Sequence, residues 1–172
     1  MDQDLLDICN FDSRTLYLVE DVTEVWCKKV LRALDILERD NPRKKIKIII
    51  NSSGGSLPDI MAVIGRLQLM DCPIVTIGLG YVMSSAVLLF AAGHTRKLSN
   101  YAQVLLHEAS TSLKGSISSI EAELEQLKIE EAITNQFLEK QTGTKKWDIL
   151  SAGEIYMSAA EALESNLATK LF

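Results

Sequence analysis

The most restrictive feature of this sequence is the stretch of residues 72–95, in which no side chain carries a charge at neutral pH. The stretch is long enough for a helix that crosses a bilayer. However, Pro73 lies near its start, Gly78 and Gly80 interrupt it, and its first part, IVTIG, is short and β-branched. The second part, SSAVLLFAAG, is apolar on all sides. This pattern favours a buried strand, a glycine turn and a buried helix over a membrane span.

The remainder of the chain alternates between short apolar runs and amphipathic helical patterns. Strands are predicted at residues 15–19, 45–50, 74–77 and 104–106. A helix is predicted over residues 59–70, and another follows Asp21 and Glu24, which have the spacing of a capping box. Such alternation implies right-handed crossovers and a mainly parallel sheet covered on both faces. The predicted fold class is therefore α/β.

Length and composition limit the classes of protein that need to be considered. The chain has 172 residues, of which 47% are hydrophobic, so one domain over residues 1–172 can form a packed core. A net charge of −5 argues against a nucleic-acid or anionic-membrane binder. The three cysteines lack CxxC spacing and the N-terminus is acidic, so we expect a cytoplasmic protein without disulfides, metal or other cofactor.

Residues 116–141 form a long, highly charged segment with apolar residues between the charges. As a helix this segment would be roughly 40 Å long, which exceeds what a small domain needs to cover its sheet. We therefore expect part of the helix to project and to meet a partner, most simply a second copy of the chain. The alternative is a surface helix that breaks near Glu130.

Several polar residues occur where predicted strands end. Gly78 and Gly80 do not form a dinucleotide site, because Met83 occupies the position of the third glycine. Ser84, in contrast, lies between a strand and a buried helix, where free N–H groups stabilise an anion. The Gly54–Gly55 pair follows another strand, and His107 ends a further one. Taken alone, the serine is more often a helix cap and the histidine structural; together they suit acyl transfer if the loops converge.

At these residues the sequence resembles the ClpP family of serine peptidase subunits. IIINSSGGS is similar to the INSPGG loop of that family, with Ser53 in place of the proline, and GYVMSSAVLLFAAG is similar to its nucleophile segment. NYAQVLLHEA resembles the segment of the family's histidine, and IYMSAAEALESNL resembles its closing motif. The four motifs occur in order from about Arg14 to the end of the chain.

The resemblance implies a crotonase-like spiral of ββα units assembled into two stacked heptameric rings, a tetradecamer. Residues 108–141 would form a projecting handle helix between the rings, and residues 14–107 and 142–172 the head. Ser84 matches the nucleophile and His107 the general base. Gly55 and Ser85 match the two backbone N–H donors of the oxyanion hole.

At the third catalytic residue the sequence departs from the pattern of the family. Alignment on YMSA places Glu154 where the family has an aspartate, and Asp148 is the alternative because the segment before Tyr156 is shorter than in the family. The arginine expected beside this residue is Gly153, and Glu108 replaces the usual glutamine beside His107.

The resemblance implies peptides or unfolded proteins as substrates, without nucleic acid or membrane partners. It also implies a possible AAA+ unfoldase of the ClpX, ClpA or ClpC type, or other ClpP-family subunits, as partners. Lys47 and Ile49 stand where the family often has the aromatic residues that dock the unfoldase, which weakens that expectation. We expect a serine endopeptidase subunit; the alternatives are an inactive ClpR-like subunit and a crotonase-type acyl-CoA enzyme.

Overall fold

A computed structural model describes residues 3–108, 114–145, 147 and 153–172 of the chain. Its strands are β1 (Cys9–Asn10), β2 (Thr15–Leu18), β3 (Ile46–Ser52), β4 (Ile74–Met83), β5 (Thr95–Leu98), β6 (Gln103–His107), β7 (Glu154–Met157) and β8 (Lys170–Leu171). Its helices are a short 3-10 helix (Gln3–Leu5), α1 (Glu24–Asp40), α2 (Leu57–Gln68), α3 (Ser85–Ala91), α4 (Ile117–Thr142) and α5 (Ala159–Glu164).

The strands form one sheet in the order β1-β2-β3-β4-β5-β8, and β6 pairs with both β4 and β7. The β1–β2 and β6–β7 pairs are antiparallel, whereas the others are parallel. Strand β4 is the branch point, because its first half pairs with β5 and its last residues pair with β6. This mainly parallel α/β sheet is the one that the alternating sequence pattern predicts.

Only one face of the sheet is fully buried, so the prediction that both faces are covered is wrong. In β3, Ile46, Ile48 and Ile50 are buried, while the alternate residues Lys47 and Ile49 are half-buried. The buried face packs on the apolar faces of the helices, which the sequence pattern identifies correctly: Trp26, Val30, Ala33, Leu34 and Leu37 of α1 and Ile60, Val63, Ile64 and Leu67 of α2.

The uncharged stretch forms β4 and the buried helix α3, but no glycine turn separates them. Strand β4 continues through Gly78 and Gly80 to Met83. Gly78 is required for packing, since a Cβ atom there would lie 2.7 Å from side-chain atoms of both Leu98 and Val82. Within the described ranges, no helix combines the length and the apolar character needed to cross a bilayer.

The start of α1 also differs from the sequence prediction. Thr23, not Asp21, is the N-cap residue, and its side chain accepts a hydrogen bond from the N–H of Trp26. Thr23 is favoured because its hydroxyl lies three residues before an unpaired helix N–H. Asp21 instead accepts a hydrogen bond from Ser53 Oγ at 2.7 Å.

Helix α4 is continuous through Glu130, so it does not break there. Its buried residues all lie in its C-terminal half: Glu131, Thr134, Phe137, Leu138 and Thr142. The N-terminal half therefore extends away from the core, as its length predicts. The C-terminal end is held by Trp147 and Asn166, which donate hydrogen bonds to the side chain and carbonyl of Thr142, respectively.

Candidate active site

Ser84 lies in an unusual backbone conformation at the junction of β4 and α3. Its φ of 54° and ψ of −131° are rare for a residue other than glycine, and such conformations cluster at functional sites. Its side chain makes no capping hydrogen bond, so the role of an ordinary helix cap does not describe it. The Ser84 N–H donates to the Leu105 carbonyl at 2.6 Å, which fixes the turn against β6.

His107 follows Leu105 by two residues on β6 and therefore lies on the same face of the sheet. Both side chains are half-buried, whereas Val104 and Leu106 point into the core. The serine turn and the histidine strand are thus joined directly by a backbone hydrogen bond. Among the contacts of the described residues, no side-chain hydrogen bond yet links Ser84 to His107.

Glu154 lies directly across the β6–β7 pair from His107. The Glu108 N–H donates to the Gly153 carbonyl at 2.9 Å, which makes the neighbouring Glu108–Gly153 position the hydrogen-bonded one. His107 and Glu154 consequently form a non-hydrogen-bonded pair, the type in which opposed side chains are closest. Asp148, the alternative third residue, lies outside the described residues.

The imidazole of His107 makes a local hydrogen bond. Its Nδ1 lies 2.7 Å from the Glu108 carbonyl oxygen. A carbonyl can only accept, so this contact assigns the proton to Nδ1 and leaves Nε2 of the neutral ring with its lone pair. The ring can then serve as a base through Nε2. In this conformation the orienting acceptor is a main-chain carbonyl and not the Glu154 carboxylate.

The glycine loop packs directly on the serine turn. A Cβ atom on Gly54 would lie 2.6 Å from the Ser84 Cβ and 2.8 Å from the Met83 carbonyl oxygen, so only glycine fits. Gly54 also has a φ of 103°, which side chains disfavour. The glycine loop is therefore in contact with the serine turn, which is itself hydrogen-bonded to β6, the strand that ends in His107.

The loop is held in place by hydrogen bonds on both sides. The Ser52 hydroxyl accepts from the Gly54 N–H at 3.1 Å, and the Gly54 carbonyl accepts from the Val22 N–H at 2.7 Å. Neither the Gly55 N–H nor the Ser85 N–H donates to an acceptor within the part of the chain that the structure describes. These two groups remain available to an external acceptor.

Residues beside the predicted site make hydrogen bonds to its glycine loop and to β4, and residue chemistry alone did not identify them. Ser52 fixes the Gly54 N–H, and Asn51 Oδ1 accepts from the Tyr81 N–H at 2.8 Å. The signal available in the sequence was their position in the polar loop NSSGGS. Ser85 Oγ is buried without a hydrogen-bond partner among the described residues.

A mainly parallel sheet whose strand ends carry a serine turn, a histidine and a glycine loop is an arrangement typical of α/β serine hydrolases. Comparison with known proteins narrows this class. Residues 4–172 match the Clp protease family. The chain therefore belongs to the Clp protease family, and the predicted α/β fold of that family is confirmed.

Individual relatives agree with this assignment. A protein of Chlamydia muridarum named ATP-dependent Clp protease proteolytic subunit 1 is 32% identical over 174 aligned positions, which cover 96% of this chain and 89% of the relative. A protein of Bifidobacterium longum named ATP-dependent Clp protease proteolytic subunit 2 is 28% identical over 162 positions, 92% of this chain and 78% of the relative. A subunit 2 of Treponema denticola is 27% identical over 177 positions.

Proposed function

We propose that this chain is an active serine peptidase subunit with Ser84 as nucleophile and His107 as general base. The observation that carries the proposal is the Ser84 N–H bond to Leu105, which holds a strained serine turn beside the strand that ends in His107. Gly54 packs against the same turn, and the Gly55 N–H, which has no acceptor among the described residues, follows it in the chain.

The proposed reaction begins when a peptide lies with its scissile carbonyl over Ser84. Nε2 of His107 takes the hydroxyl proton as Ser84 Oγ bonds to the carbonyl carbon. The N–H groups of Gly55 and Ser85 donate to the resulting oxyanion. The histidine then protonates the leaving amine, and a water molecule hydrolyses the acyl-enzyme with the same residue as base.

Glu154 completes the proposed site as the group that orients His107. A rotation of the imidazole from the Glu108 carbonyl would allow Nδ1–H to donate to the carboxylate across the strand pair. Glutamate is one methylene longer than aspartate, so the pairing needs a different rotamer. The paired backbone positions supply the proximity that this contact requires.

The Nδ1 contact with Glu108, together with the absence of a Ser84–His107 hydrogen bond among the described residues, favours one alternative, a catalytically inactive subunit of a mixed ring. In that case the histidine remains bound to the carbonyl, and Ser84 lacks an aligned base. The two functions differ in whether the assembled particle carries a reactive serine.

We also infer self-association through α4, whose projecting half exposes Ile117 and Leu124, and assembly into the paired heptameric rings of the family. The relatives' names contain the term ATP-dependent, which supports an unfoldase that supplies unfolded proteins. Lys47 and Ile49 on the less buried face of β3 give this surface a composition that differs from an aromatic cleft.

A fluorophosphonate probe tests the proposal on the full chain after native mass spectrometry has established assembly. We expect the probe to add to Ser84 and short fluorogenic peptides to be hydrolysed. Ser84→Ala should abolish both, whereas Ser13→Ala, which removes an exposed hydroxyl in the turn between β1 and β2, should change neither. An assembled wild-type particle that stays unlabelled and hydrolyses no peptide would overturn the proposal in favour of the inactive subunit.

A further inference from the structure

The pairing between β3 and β4 contains a break in register. Ile50 pairs with Gly78, but Ser52, two residues further along β3, pairs with Val82, four residues further along β4. Strand β4 therefore carries two extra residues at this point. Such irregularities leave ladder groups without their regular partners and are over-represented beside active sites.

Asn51 lies opposite the extra residues and bridges the break. Its Oδ1 accepts a hydrogen bond from the Tyr81 N–H at 2.8 Å. A Cβ atom on Gly80 would lie 2.6 Å from this Oδ1, so the absence of a side chain at position 80 admits the amide group. Within the described ranges, Asn51 Nδ2 has no hydrogen-bond partner, and the bridge thus uses only the acceptor oxygen.

The bridge lies between the two loops that must meet at the site. On the β4 side, the residues from Tyr81 onward pair with β6 on the other edge of the strand, with Tyr81 opposite Gln103 and Met83 opposite Leu105. Ser84 then follows Met83. On the β3 side, Ser52 follows Asn51, and its hydroxyl holds the Gly54 N–H.

We propose that Asn51 is a positioning residue that sets the offset of β4 against β3 and so aligns the Ser84 turn with the Gly54–Gly55 loop. This inference rests on the proposed peptidase function and extends it to a residue outside the Ser84, His107 and Glu154 set. Asn51 does not touch the reacting atoms; it acts through Tyr81 on one side and through Ser52 on the other.

Loss of the bridge should affect the chemical step more than substrate binding. A misplacement of about 1 Å between reacting groups costs roughly 10²-fold in rate. We expect Asn51→Ala to lower kcat for a fluorogenic peptide by about 10- to 100-fold while KM stays within roughly threefold. The rate of fluorophosphonate labelling of Ser84 should fall in parallel.

Asn51→Asp is the conservative variant, because it keeps the acceptor oxygen, replaces the unused NH2 group by a second oxygen, and places the added negative charge on an exposed side chain. We expect it to retain kcat within roughly threefold of the wild type. Asn10→Ala is the matched control: it removes an equivalent bond, from the Ser13 N–H to Asn10 Oδ1 at 2.9 Å, at a distant turn. It should leave kcat unchanged.

Gly80→Ala tests the bridge without altering Asn51. The added methyl group displaces the flexible amide, so the variant should show the same fall in kcat as Asn51→Ala. Amide hydrogen exchange reports the bond itself, since the Tyr81 N–H should exchange faster in both variants than in Asn51→Asp. If Asn51→Ala fails to assemble, Gly80→Ala and Asn51→Asp provide the comparison.

The outcomes separate this inference from the proposed function. A wild-type particle without labelling or peptide hydrolysis overturns both. An active wild type with Asn51→Ala and Gly80→Ala at full kcat overturns only the positioning role. Asn51→Asp as impaired as Asn51→Ala would also overturn it, because the acceptor oxygen would then not be the feature that matters.

Discussion

His107 and Glu154 face each other in the β6–β7 pair at a position where antiparallel side chains approach most closely. Two strands far apart in the sequence are thereby joined at the last residue of β6 and the first residue of β7. The imidazole nevertheless bonds the Glu108 carbonyl through Nδ1, at 2.7 Å. This strand pairing places the Glu154 carboxyl group beside His107. A rotation of the imidazole ring is the step that would allow the two side chains to form a hydrogen bond.

The first prediction concerns this carboxylate. Glu154→Ala should lower peptide kcat by roughly 10²-fold or more, because His107 loses the group that holds its protonated form in place. Asp148→Ala should have a much smaller effect. Some activity should persist in Glu154→Ala, since the oxyanion donors remain. Peptide-hydrolysis kinetics of the two variants, compared in the same assembly state, measure the difference. A large loss of kcat in Asp148→Ala but not in Glu154→Ala would assign the role to Asp148.

A second prediction concerns the contact between the glycine loop and the serine turn. Gly54→Ala introduces a Cβ 2.6 Å from the Ser84 Cβ at a φ of 103°. We expect the free energy of unfolding to fall by about 1–3 kcal/mol and Ser84 labelling to be lost. Urea denaturation and probe labelling measure the two effects.

Gly65→Ala is the control for that substitution. Gly65 lies inside α2, and a Cβ there would contact nothing within 4 Å. This variant should be as stable as the wild type or more stable by up to about 1 kcal/mol, with normal labelling. Equal behaviour of the two alanine variants would contradict the close packing at Gly54.

The third prediction tests how the end of α4 is attached to the head. Trp147 is almost fully buried and donates through Nε1 to Thr142 Oγ1 at 2.8 Å. Thr142→Val removes that acceptor and leaves a buried N–H unpaired, which should cost about 1–3 kcal/mol of unfolding free energy. Thr134→Val, which removes only a bond to the Glu130 carbonyl on the same helix, should cost less than about 1 kcal/mol. Similar losses measured by chemical denaturation would argue against the Trp147 contact.

The fourth prediction concerns the cysteines, all of which are buried and free. Burial raises the pKa of the Cys9 thiol from 9.0 to about 11, and it also raises the pKa of Cys27 and of Cys72. We therefore expect no reaction with a thiol reagent at pH 8 until the chain unfolds. Rapid modification of the native protein would contradict the buried placement.

The raised pKa of Cys9 also makes the free energy of unfolding depend on pH. Between pH 9 and about 11 the Cys9 thiol ionises in the unfolded chain but stays protonated in the fold. The free energy of unfolding should therefore be unaffected by Cys9 below pH 9 and fall as the pH rises through this window. Cys9→Ala should show a smaller alkaline decline in urea titrations, and an identical decline would exclude the contribution of Cys9.

The apolar pattern was sufficient to predict the α/β class and the inward faces of α1 and α2, because burial follows from helical periodicity. It did not predict the end of β4. Gly78 and Gly80 suggested a turn, yet both lie within the strand, where Gly78 packs on Leu98 and Gly80 accommodates Asn51. A glycine required by a neighbouring side chain and one required by a turn look the same in a sequence.

In the candidate site, too, the sequence predicts some features and not others. Residue types and spacing singled out Ser84, His107 and the Gly54–Gly55 pair, since a hydroxyl, an imidazole and side-chain-free amides are recognisable as chemical groups. The positioning contacts were not recognisable, because the Asn51–Tyr81 and Ser84–Leu105 bonds depend on strand register. No local pattern encodes the register between strands.

The sequence by itself determined the class of fold, the buried faces of its helices and the chemical groups available at the strand ends. Only the tertiary structure decided that β6 pairs with β4 on one side and β7 on the other, which places His107 near the serine turn and opposite Glu154. The physical reason is that side-chain chemistry and periodicity are local properties, whereas strand pairing results from packing between segments distant in the chain.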